Sequence, residues 1–139
     1  AFLAIIYLVF FFSGFAGLIY QVVWQRAFTL YYGVGAVSTS IVVSVFLFGL
    51  GVGAYVGGWV AERAGRRLLL IYVVLELALA AIGALSLDVL SAITPALSQS
   101  SYASGFLIIA GLIAVPTVLM GMTLPLMVKL TNVVNHDFG

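Results

Sequence analysis

Glu76 lies within LLLIYVVLELALAAIGAL, residues 68–85, a run with no other charge. An ionisable side chain inside hydrocarbon costs a few kcal/mol on insertion scales, so it needs a partner or a purpose. Two chemistries suit a carboxyl group in such a place. It can tie neighbouring helices together by hydrogen bonds, or it can meet a cation or handle a proton, and the residue type leaves both open. Tyr72, Glu76, Ala80 and Gly83 recur at helical spacing and share one face. A second polar group stands at Gln21, Gln25 and Arg26. On a helix, Ser13, Gly17, Gln21 and Trp24 fall to one side with Gln25 beside them, a stripe expected to face protein. The two amides read either as interhelical bridges worth ~1 kcal/mol each or as solute ligands. Arg26, near a helix end, can snorkel to water, and a pair with Asp88 is geometrically allowed. Glu76, Gln21, Gln25 and Arg26 therefore form the candidate substrate-binding set.

Catalysis, metals and cofactors find no comparable residues. The chain has no cysteine, hence no disulfide framework or thiolate ligand, and His136 beside Asp137 is a lone histidine that makes no metal site. No glycine-rich nucleotide fingerprint with an acidic partner follows a strand.

The elements that must position the candidate residues are membrane helices. The 139 residues are 65% hydrophobic and 6% charged, far from the roughly 25% charged of soluble proteins. Charge-free runs cover residues 1–25, 27–61 and 89–128, and each reaches the ~20 apolar residues that cross a hydrocarbon core. Long continuous runs lack the alternation of a membrane barrel strand, so the expected class is all-α and integral to the membrane. Four transmembrane helices are expected, at about 2–32, 37–61, 68–87 and 105–128, making a single transmembrane domain over 1–139. The breaks are Gly33, Val34 and Gly35, then the charged turn, then a serine-rich polar linker over 88–104 that holds Pro95. Ser38, Thr39 and Ser40 are expected to cap the second helix, and Pro116 to interrupt the fourth. Arg63, Arg66, Arg67 and Lys129 fall on one side, with only Arg26 approaching the other, so the positive-inside rule predicts that both termini are cytoplasmic. The lipid bilayer is the first partner, as in a plasma membrane protein, a bacterial inner-membrane one if the source is prokaryotic. A net charge of +1 implies no nucleic-acid partner.

Glycines carry two further patterns. Gly49, Gly53 and Gly57 repeat every four residues, a ridge on which helix backbones approach closely, read as packing against the first or fourth helix. In the turn GGWVAERAGRR, residues 57–67, the series Gly58, Glu62, Arg63, Gly65, Arg66 and Arg67 is a structural loop motif. Gly58 is expected to let the helix end approach a neighbour, Gly65 to permit a φ > 0 turn, and the arginines to bind helix carbonyls or a carboxylate.

That loop resembles the pattern G-x-x-x-D-R-x-G-R-R between the second and third helices of the major facilitator superfamily, with Glu62 at the aspartate position. FFSGFAGLIYQVVWQRAF, residues 11–28, then YGVGAVSTSIVVSVFLFGLGVGAYVGGWVAERAGRR, then MGMTLPLMVKL, residues 120–130, together resemble the membrane domain fused to spermidine-synthase-like polyamine aminopropyltransferases. The resemblance covers nearly the whole chain. It departs at Gln21, where such proteins often carry a glutamate, which puts a cation or proton role at that position in doubt.

The resemblance implies a facilitator-like fold forming part of a facilitator half, beside a soluble aminopropyltransferase domain that lies outside these residues and holds the transferase chemistry. It also implies association, as a homo-oligomer or with further helices of the same protein. Three functions follow as alternatives. The module binds or passes a small cationic solute such as a polyamine; it is a non-transporting anchor that oligomerises the enzyme; or it is an independent small transporter. Glu76 discriminates between the first two. A carboxyl group lining a cavity with Gln21 and Gln25 favours the solute; one sealed and fully hydrogen-bonded favours the anchor.

Overall fold

The structure, a computed structural model, describes residues 2–32, 36–98 and 101–138. Gly33, Val34 and Gly35, read above as the first break, lie outside the described residues. Four α-helices account for nearly all the rest: α1 Phe2–Tyr32, α2 Ala36–Arg63, α3 Leu68–Ser98 and α4 Tyr102–Phe138. Each is long and apolar enough to cross a membrane. At ~1.5 Å per residue, the 31 residues of α1 make about 46 Å against a core of roughly 30 Å, so α1 tilts or protrudes.

The α2–α3 connection is a single 3-10 turn, Gly65–Arg67. Gly65 takes φ +50°, the left-handed conformation expected of it. Gly58, by contrast, faces open space. The close approach belongs to its neighbour Gly57, where an added Cβ would stand 2.7 Å from Met122 Cα.

Several boundaries differ from the sequence expectation. α2 starts at Ala36, so Ser38, Thr39 and Ser40 sit inside its first turns instead of before them. α3 does not stop near Leu87 but continues through Pro95 to Ser98, and α4 begins at Tyr102. Most of the supposed 88–104 linker is therefore helix. Ile93, packed against a buried cluster, carries α3 onward, while Ser86 and Ser91 turn their hydroxyls back onto the carbonyls of Gly83 and Asp88 (2.7 and 2.8 Å). Pro116 and Pro125 likewise leave α4 continuous. Each proline removes one helical hydrogen bond, while Thr117, fully buried, directs its hydroxyl to the carbonyls of Ile113 (3.0 Å) and Ala114 (2.9 Å). The backbone of α4 also carries on through His136 and Asp137, where a tail was expected.

Two apolar cores hold the helices. At the hairpin end, Ile6, Ala61, Leu68, Tyr72, Leu75, Leu126, Met127 and Leu130 form one cluster. At the opposite end, Trp24, Val42, Ile109 and Ile113 form the other. Between them α2 and α4 make the most extensive contact in the molecule, and its cause is the glycine ridge. Gly49 abuts Thr117, Gly53 abuts Val118 O and Gly121 Cα, and Gly57 abuts Met122 and Pro125. The ridge thus packs on the fourth helix, whose own Thr117, Gly121 and Pro125 recur at the same four-residue spacing. With the two backbones this close, dispersion accumulates along the whole seam where lipid gives no hydrophobic drive. The remaining helices touch less, and space remains between them.

Candidate functional site

A cavity of about 590 Å³ opens between α1, α3 and α4. From α1 it receives Ser13, Gly17, Tyr20 and Trp24, residues separated by four, three and four positions, and so on one side of the helix. From α3 it receives Glu76, Ala80 and Gly83, the face expected from their spacing. Pro116 and Met120 of α4 close the back. The remaining wall is almost wholly aliphatic and aromatic.

Glu76 is half-buried, and its Oε1 is shielded with no hydrogen-bond partner. Ser13 and Tyr72 stand near enough to interact with the carboxyl group. Even so, the Tyr72 hydroxyl, on a residue only 3% exposed, is itself without a hydrogen-bond partner. The indole Nε1 of Trp24 is the third buried polar atom in this condition among the described residues. Trp24 and Glu76 line the cavity, and Tyr72, one turn from Glu76, belongs to the hairpin-end core beside it. A buried polar atom left unpaired costs about 1–3 kcal/mol. Oε1 is thus left without a partner, although Ser13 of α1 and Tyr72 of α3 stand close to the same carboxyl group.

Tyr20 and Trp24 stack at 6.0 Å between centroids and 19° between planes. A second hollow of about 260 Å³ shares Trp24, Ile82 and Pro116 with the first and extends toward Ser86 and Val89. On the other side of α1, a hollow of about 400 Å³ between α1, α2 and α4 shares Ser13 and Met120 with the Glu76 cavity. The Met120 side chain, pressed on Gly17, is the partition between these two spaces.

The other candidate residues do not join Glu76. Gln21 is half-buried but off the cavity wall; it sits about 80° around the helix from Ser13, whereas Tyr20 sits within about 20°. Gln25 donates from Nε2 to Thr39 Oγ1 at 3.2 Å, bridging α1 to α2, and its carbonyl accepts from Thr29 Oγ1 at 2.9 Å. Arg26 and Asp88 are both exposed, and no ion pair joins them. Tyr20 and Met120 were missed as candidates, although the three-and-four spacing from Ser13 through Gly17 to Tyr20 and Trp24 was readable.

The loop motif lies at the hairpin, away from the cavity wall. Arg63 places its guanidinium 4.0 Å from the centroid of the Trp59 ring and reaches the Trp59 carbonyl at 3.5 Å. Glu62, Arg66 and Arg67 are exposed. Among the described residues no three His, Cys, Asp or Glu side chains gather as metal ligands.

Compared with known protein families, curated proteins and solved structures, the chain matches none.

Proposed function

We propose that this chain is a membrane module that binds a small cationic solute at Glu76, between α1, α3 and α4. One observation carries the reading: among the described residues the only charged group on the cavity wall is a carboxyl group whose Oε1 is shielded and unpartnered. A cation supplies the missing partner, and in surroundings of low dielectric the attraction is strong. The cavity volume lies within the range of small-molecule sites. The sequence resemblance to membrane domains of polyamine aminopropyltransferases supports a facilitator-like module with cytoplasmic termini in a plasma membrane. It also makes organic amines the solutes to test, spermidine and putrescine alongside amines with a single ammonium group. Gln21 and Gln25, off the cavity wall, are not part of this site.

The test is cation binding by the full chain in lipid nanodiscs, measured by calorimetry at low salt. Glu76→Gln keeps the shape of the side chain and removes its charge. Binding should fall at least tenfold, with the melting temperature within a few degrees of the parent. Undiminished binding in the variant discards Glu76 as the counter-charge. No cation binding by the parent leaves the non-transporting anchor as the better account.

A further inference from the structure

We infer that the occupant of the Glu76 cavity is an amine with one ammonium centre on an apolar body, not a polyamine with several charges. The inference rests on the cation-binding reading above and narrows it to a ligand class. The charge count is the first argument. Glu76 is the sole charged group among the described residues of the wall, so it answers one positive charge. A second and third ammonium group on the same solute would lie against residues such as Phe12, Leu77 and Ile82, where an uncompensated charge is strongly disfavoured.

The shape of the apolar part is the second argument. The Glu76 cavity reaches the stacked Tyr20 and Trp24 rings, and the 260 Å³ hollow toward Ser86 lies against the same Trp24, Ile82 and Pro116. A chain extending from the ammonium group toward these rings meets apolar walls. The aromatic pair offers ring faces both to methylenes and to the edge of a cationic head. Trp24 is 7% exposed and its Nε1 has no partner, so a solute oxygen placed along the tail would meet a waiting donor there.

Trp24 also supplies the readout. The chain has two tryptophans, and Trp59 is exposed beside Arg63, so Trp59→Phe leaves Trp24 as the one indole. The full chain with this change, in nanodiscs, is titrated with 8-bromooctyl-trimethylammonium, whose bromine quenches indole fluorescence at short range. The expected result is saturable quenching, weakened at least tenfold by Glu76→Gln, and not displaced by an equal concentration of spermidine. 8-Bromooctanol, which partitions into the same lipid without the charge, should quench without saturating. Displacement by spermidine in a Glu76-dependent manner overturns the single-ammonium class while leaving the cation site standing. Equal quenching in the parent and in Glu76→Gln overturns the cation site itself. Should Glu76→Gln not fold, Ala80→Leu, which fills the wall without changing charge, takes its place: loss of saturable quenching supports the inference and unchanged quenching overturns it.

Discussion

At the scale of single residues, the cavity is marked by what its polar atoms lack. Buried donors and acceptors in folded proteins are nearly always paired, and here Glu76 Oε1, the Tyr72 hydroxyl and Trp24 Nε1 are not. Such groups lower stability, so removing one without changing shape should raise it. Tyr72→Phe deletes a buried hydroxyl with no hydrogen bond to lose, and chemical denaturation in detergent should show stability unchanged or higher by about 1 kcal/mol. A fall of similar size would mean that the hydroxyl binds the Glu76 carboxyl group in the membrane. Arg63 is a different case. It lies over the exposed Trp59 ring at the end of α2, a cation–π contact at the hairpin.

At the scale of elements, glycine identity matters only where a second backbone arrives. Gly53→Leu drives a side chain into Val118 O and Gly121 Cα. Overpacking of this kind costs about 1–3 kcal/mol when side chains can yield, and backbone yields less, so loss of folded protein on size-exclusion chromatography is expected. Gly51→Leu, two residues away and facing open space, should purify like the parent. An intermediate outcome is expected at Gly17, where an added Cβ meets only the Met120 Cε and Sδ. Met120 is flexible and can swing aside, so Gly17→Ala should lower the melting temperature by far less than Gly53→Ala. Equal losses at the two positions would refute the distinction between a backbone seam and a side-chain partition.

At the scale of the molecule, the two cores lie at opposite ends and the cavity lies between them. α1, which turns one face to this open space, is the least buried of the four spans, and most of its large side chains, Phe11, Phe15 and Leu18 among them, are exposed. Lipid covers such a surface at no cost, and so would another helix; the proposed association would place one there. Orientation is set by charge. With no cysteine in the chain, Ala64→Cys at the hairpin and Ser101→Cys at the opposite end report it without background. An impermeant maleimide applied to intact cells should label position 101 and spare position 64, and the reverse pattern would overturn the cytoplasmic assignment of the arginine-rich turn.

How much was legible beforehand follows from the range of the forces. Span number and the left-handed turn at Gly65 depend on local composition and on backbone geometry within a few residues, so the sequence by itself determined them. The face shared by Glu76, Ala80 and Gly83 was legible for the same reason, since helical spacing is local. What one dimension does not carry is the rotation and axial placement of one helix against another. α1 is apolar nearly all round, so no hydrophobic stripe points to its inward side. Ser13, Gly17 and Trp24 were nevertheless expected to face protein, and tertiary packing decided that Tyr20, not Gln21, joins them on the wall with Glu76. Likewise the four-residue repeats on α2 and α4 were each visible, but their docking on one another, with Gly57 instead of Gly58 at the contact, is a property of the pair. The same holds for the extra turns of α3 beyond Leu87. Local composition argued for a linker, and a distant core that Ile93 packs against decided for helix.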